Sequence, residues 1–172
     1  MKKFSGELGF LPKMAMEEYL KRGCIDFAQE NDDDAGYLLI RPMRDRSKLS
    51  IVQAAVCTDA QRRHIGLALV NDAICKRAAG VRIVQSWCAS DIEAVNFWTA
   101  AGFVEICREE RGNSRKREMI LFRKALVDVP SAELLAIPER AGWKARGRPK
   151  DDQLEFCSLA TQRILISRTN KM

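Results

Sequence analysis

At 172 residues and 47% apolar content, the chain is long enough for one cored domain plus an extension. No apolar run approaches the roughly 20 residues a membrane span needs, and MKKFSGELGFLP has no apolar stretch behind its lysines, so neither a membrane segment nor a signal peptide is expected and the reading is cytoplasmic. The net charge of +6 favours polyanions (nucleic acid, acidic protein or a cofactor's phosphates) without choosing among them.

In chain order, PKMAMEEYLKR (12–22) reads as a short helix, with Pro12 at its start and Gly23 just past its end. CIDFAQE (24–30) alternates like a strand, NDDDAG is a turn, and GYLLIRPM (36–43) is the return strand of a hairpin. Residues 50–57 are nearly all apolar, as for a central strand covered on both faces. Residues 62–79 form a helix with Leu69, Val70, Ala73 and Ile74 on one face and Gly80 at its end. A strand over 81–88 follows, then a helix over 91–101 with Asp91 as N-cap and Gly102 closing it. Strands over 103–110 and 117–126 are joined by a basic loop. The order predicts an α/β fold with a mixed sheet.

After Leu126 the character changes. Pro130, Pro138 and Pro149 punctuate a stretch that carries a basic loop over 141–150 and a last helix over about 152–168. Residues 1–126 therefore read as the domain and 127–172 as a C-terminal extension. Its apolar positions suit covering the core, pairing with a second copy as a homodimer, or reaching a substrate. The six cysteines are scattered without a CxxC pair, which suits reduced thiols; with one histidine, no metal site is expected.

Two blocks carry a resemblance. The first is Gln61-Arg62-Arg63-His64-Ile65-Gly66, continued by Leu67-Ala68-Leu69, at a strand-to-helix turn. The second is Asp91-Ile92-Glu93-Ala94-Val95-Asn96-Phe97-Trp98, followed by Ala101-Gly102-Phe103. At this spacing and in this strand order, residues 23–126 resemble the GNAT superfamily of acyl-CoA-dependent N-acyltransferases. The resemblance implies a mixed, mostly antiparallel central sheet flanked by helices. It also implies an enzyme that moves an acetyl group from acetyl-CoA, or another acyl-CoA, to an amine. Backbone N–H groups from Arg62 to Ala68 would hold the pyrophosphate, as unpaired donors at a helix N-terminus do. Gly66 would permit close approach, and Arg62 and Arg63 would add charge-assisted contacts. The main chain of Ala55, Val56 and Cys57 would pair with the pantetheine arm, and Asp91 would hydrogen-bond near it.

Three departures from the family pattern bear on the chemistry. His64 stands where the signature usually has its first glycine, and reads as a positioned loop residue. Trp98 stands where many members have the Tyr that protonates the leaving thiolate; an indole N–H donates a hydrogen bond but does not supply a proton. Ser50 occupies the position of a common general-base Glu. Trp98, Ser86, Tyr37 and Ser50 are therefore the candidate catalytic residues, with water relays, Asp59 and Glu93 as further candidates for base or acid, and positioning of the amine carries much of the rate.

On the acceptor side, Arg146-Gly147-Arg148-Pro149-Lys150 looks like an AT-hook core, the extended motif that lays arginines in a narrow minor groove. With Arg115, Lys116 and Arg117 in the basic loop, these residues are the candidate nucleic-acid contacts. Two readings therefore stand beside the N-acyltransferase. One is a DNA-modifying enzyme of the same fold, resembling the Mom-type phage enzymes that alter adenine; the other is a non-catalytic DNA-binding module.

Overall fold

The computed structural model describes residues 11–111 and 116–136, and the backbone of Arg163–Leu165. Contacts divide the chain into two units. The first holds the described residues of Met1–Arg41, Ser50–Ala79 and Phe156–Met172, and the second those of Pro42–Leu49 and Gly80–Glu155.

The first unit opens with helix α1, Lys13–Lys21. It ends because Gly23 adopts φ 64°, which lets Gly23 N–H reach Leu20 O and Cys24 N–H reach Tyr19 O, satisfying carbonyls that the helix leaves open. Met16, Tyr19 and Leu20 then pack on Cys24, Ile25 and Leu39. Strands β1 (Ile25–Glu30) and β2 (Asp33–Pro42) form an antiparallel hairpin. Its turn is tighter than the sequence suggests. Only Asn31 and Asp32 form it, at φ 51° and 68°, a left-handed pair that Asn and Asp tolerate and that matches strand twist. Asp33 and Asp34 thereby join β2.

Strand β3 (Lys48–Val56) follows β2 by a short loop. Asp45 shapes that loop by accepting from Ser47 Oγ at 2.7 Å and Lys48 Nζ at 2.9 Å, which lowers its pKa to about 2. Contrary to expectation, β3 is covered on one face only. Leu49, Ile51 and Gln53 are buried, whereas Ser50, Ala54 and Val56 are half-covered and Val52 is exposed. The apolar run still alternates in burial, because period-two geometry sends neighbours to opposite faces.

After a 3-10 turn (Thr58–Ala60), helix α2 runs Ile65–Arg77, burying Ile65, Leu69, Val70, Ala73 and Ile74. Its C-terminus is tied to β1 by Asp26, whose side chain is 2% exposed. Asp26 accepts from Arg77 Nη1 at 2.7 Å and lies 3.6 Å from Lys76 Nζ, while Arg77 Nη2 donates to Gly23 O at 2.7 Å. The strand order is β3-β2-β1-β7, where β7 (Arg163–Leu165) pairs parallel with β1. That pairing corrects the expected last helix, since 163–165 are extended along a strand edge that offers free backbone partners; the rest of the expected helix lies outside the described residues.

In the second unit, strands β4 (Ile83–Ala89), β5 (Val104–Arg111) and β6 (Arg117–Ala125) lie in the order β5-β6-β4, all antiparallel. Helix α3 spans Ala94–Ala100, three residues later than predicted, because the Asp91 carboxylate binds Arg117 instead of capping. Gly102, at φ 82°, ends it as expected, with Phe103 N–H on Trp98 O. A five-residue helix α4 (Ser131–Leu135) is held by the buried Arg123, whose Nη1 donates to Leu134 O at 2.9 Å and Ala136 O at 2.7 Å. The architecture is the expected mixed α/β class, with mostly antiparallel strands flanked by helices.

Candidate cofactor-binding site

The segment 57–68 of the first unit is the candidate site. The sequence suggests a helix from Arg62; the structure starts it at Ile65, because Arg62 and His64 adopt φ 61° and 62°. A left-handed residue cannot continue a right-handed helix. His64 is the N-cap residue, and its carbonyl receives the first helical bond, from Ala68 N–H at 2.9 Å. The N–H groups of Ile65, Gly66 and Leu67 thus have no acceptor within the helix. They lie at the positive end of the helix dipole, on a helix with no acidic residue in its first turn. Ile65 is buried and anchors the turn, while Gln61, Arg62, Arg63 and His64 are exposed. This is a fit for a pyrophosphate: donors, dipole and the exposed Arg62 at one place.

Several groups expected to meet the cofactor have protein partners. Arg63 is turned onto Glu30, with Nη1 on Asp59 O at 3.3 Å. In this structure its guanidinium is engaged by these protein partners. Cys57 N–H donates to Ala35 O at 2.8 Å, and Val56 O accepts from Gln61 Nε2 at 3.2 Å. Of the main chain from Ala55 to Cys57, those two groups are therefore already engaged. A cavity of about 140 Å³ lies beside the loop, but Glu30, Asp33, Asp34 and Asp59 line it with Arg63. Four carboxylates to one guanidinium make it unsuitable for a phosphate.

Of the nominated catalytic residues, Tyr37 and Ser50 belong to this unit. Tyr37, half-buried on β2, donates its hydroxyl to Gln53 Oε1 at 3.1 Å, and burial raises its pKa. In this structure its hydroxyl is a hydrogen-bond donor to Gln53. Ser50 lies on the half-covered face of β3.

Ser86 and Trp98 belong to the second unit, and both are buried, at 3% and 5% exposure. Trp98 packs edge-on against Phe97 and Phe103, each at 5.1 Å between centroids, and hydrogen-bonds to Cys88. This is a core placement. Asp91 is paired with Arg117, whose Nε and Nη2 lie 2.8 and 2.7 Å from Oδ1, and that bond lowers its pKa. Lys116 Nζ lies 3.7 Å from Glu110. Neither Lys116 nor Arg117 is thus an uncompensated cation for nucleic acid, while Arg115, Arg146, Arg148 and Lys150 lie outside the described residues. Among the described residues no cluster of metal-ligating side chains occurs, and no helix is long and apolar enough to cross a membrane. The five described cysteines are free thiols.

The sequence signal for the loop was the Gln61–Gly66 motif. Nothing in the sequence pointed to the Glu30–Arg63 pair, whose partners are 33 positions apart.

No protein-family model and no curated protein sequence matches the chain. Solved structures do. A Bacillus subtilis acetyltransferase in complex with CoA is 22% identical at a TM-score of 0.57, over 74% of this chain and 93% of that one. A Desulfovibrio desulfuricans protein assigned to the GNAT family as an acetyltransferase is 20% identical at 0.59, over 73% and 90%. An IAA acetyltransferase from Bacillus cereus is 17% identical at 0.56, over 67% and 85%. At these identities the likeness establishes the fold: the chain is built as GNAT acetyltransferases are.

Proposed function

We propose that this protein is an acyl-CoA-dependent N-acyltransferase that transfers an acetyl group from acetyl-CoA to an amine. The observation that carries the reading is the start of α2. Three N–H groups there precede the first helical bond, directly after β3 and next to the exposed Arg62, in a chain with the fold of GNAT acetyltransferases. Bound there, an acyl-CoA supplies a thioester carbonyl already activated toward amines.

The chain's own residues then have defined tasks. The N–H groups of Ile65, Gly66 and Leu67 bind the pyrophosphate, and Arg62 adds charge. The amine enters as the free base, and its orientation contributes several kcal/mol of the barrier reduction. Tyr37 holds its proton as a hydrogen-bond donor, and Ser50 offers the polar group on the half-covered face of β3. Arg115 and the basic segment 146–150 support an acceptor carrying negative charge, a reading that rests on sequence.

Calorimetric titration of CoA-free protein with acetyl-CoA tests the proposal, followed by release of CoA thiol in the presence of amines. Micromolar binding with amine-dependent thiol release is expected. No heat at millimolar acetyl-CoA would overturn the reading.

A further inference from the structure

We propose that Glu30 is a positioning residue for the cofactor loop, acting through Arg63; this rests on the cofactor reading above. Arg63 is the middle of three residues whose outer two, Arg62 and His64, hold φ 61° and 62°. Residues other than glycine resist that conformation, so the surroundings must impose it. The Arg63 guanidinium is one visible means. It pairs with Glu30 and donates to Asp59 O, fastening the loop to the end of β1 on one side and to the 3-10 turn on the other.

Glu30 is suited to the task. It is the last residue of β1, held by the two-residue Asn31-Asp32 turn, and its side chain is only 10% exposed. A carboxylate on a hairpin end is a fixed point, whereas an arginine on a loop is not. The alternative role for Arg63, a direct phosphate ligand, is disfavoured by its neighbours. Glu30, Asp33, Asp34 and Asp59 line the cavity into which it turns, and a phosphate there would meet like charge. Arg63 therefore belongs to the scaffold of the loop, and the anion falls to the helix N-terminus.

The two roles predict opposite signs. If Arg63 is a phosphate ligand held in reserve, removing the Glu30 charge releases it and CoA binds more tightly. If Glu30 positions the loop, the same change weakens CoA binding by about tenfold, a usual coupling between contacting residues. The experiment is calorimetric CoA titration of the full chain as wild type, Glu30→Gln, Glu30→Asp, Arg63→Lys and the double variant Glu30→Gln/Arg63→Lys, each with a thermal melt.

The expected result is a similar loss for Glu30→Gln and Arg63→Lys, no further loss in the double variant, and partial rescue in Glu30→Asp. Equal or tighter binding by Glu30→Gln would overturn the proposal, as would a lowered melting point with CoA affinity unchanged. If Glu30→Gln does not fold, Arg63→Lys tests the same link with the carboxylate in place, and unchanged affinity there also overturns it. A wild type that binds no CoA would overturn the cofactor reading itself, a different and separately visible failure.

Discussion

Gly36 offers the sharpest test of how the chain shapes the strand before the loop. It faces Ala28 across the β1–β2 pair, two residues after Asp34. A Cβ added there would lie 2.6 Å from Ala55 O, 3.2 Å from Val56 Cα and 3.4 Å from Val56 Cγ2. The shortest contact is to backbone, so no flexible side chain can swing aside; β2 or β3 must shift. Gly36 has no positive φ, so Gly36→Ala adds steric conflict without backbone strain. Overpacking of this kind costs about 1–3 kcal/mol. For a chain of this size that lowers the melting midpoint by roughly 2–12 °C. Gly80→Ala is the control: nothing lies within 4 Å of its Cβ, but φ is 73°. Its cost of about 1–2 kcal/mol is pure backbone strain. The two variants should separate by CoA titration, because only Gly36→Ala displaces Ala55 and Val56. Scanning calorimetry and CoA titration read both effects. A Gly36→Ala protein with wild-type melting and wild-type CoA affinity would refute the reasoning.

Gly66→Glu should remove detectable CoA binding while leaving circular dichroism and melting unchanged, since an acidic residue in a helix's first turn favours the helix but repels a pyrophosphate; retained affinity would mean that the cofactor loop is misplaced. Asp26→Ala leaves the Arg77 guanidinium without its buried counter-charge, and urea titration should show a loss of about 3–5 kcal/mol. His64→Gly exchanges left-handed strain for glycine's greater unfolded entropy, so a net change of about 0–1 kcal/mol toward stability is expected, and marked destabilisation would contradict the φ of 62°. Burial raises the Tyr37 pKa above its ordinary 10.0, so its proton stays bound to higher pH in the folded chain than in the unfolded one. Its contribution to stability is complete below that value and declines as pH rises through the folded pKa. A phenolate absorbance titration compared with Tyr37→Phe should show the missing phenol titrating late.

What the sequence makes legible follows the range of the interactions. Helix α2 was readable because Leu69, Val70, Ala73 and Ile74 recur at helical spacing, and those residues are buried. Gly23 and Gly102 were readable as stops, since glycine supplies positive φ locally, and both have it; Gly80 has it too, but α2 stops earlier than the sequence suggests, at Arg77. The starts of α2 and α3 were not. Arg62 and His64 carry no local sign that they are left-handed, and Asp91 looks like a cap until Arg117, 26 positions away, claims its carboxylate. The one-sided burial of β3 was hidden for a related reason: an apolar run reads the same whether one face or both are covered. The order of residues put Trp98 in the position of a family proton donor, but its indole fills the core beside Phe103.

The loop before α2 holds its backbone without help from glycine. A glycine at the position of His64 would take a left-handed turn without steric conflict. Here the histidine takes φ 62°, and Arg62 takes φ 61° two positions earlier. Each departure costs about 1–2 kcal/mol, so the turn is not held by the permissiveness of its own residues. It is held from outside: Gln61 Nε2 on Val56 O, Arg63 on Glu30 and Asp59 O, and Ile65 buried beneath. A loop built this way is sensitive where a glycine-bearing loop is not. Changes at Glu30, outside the motif altogether, and at Gln61, through its side chain, should therefore also reach the helix N-terminus.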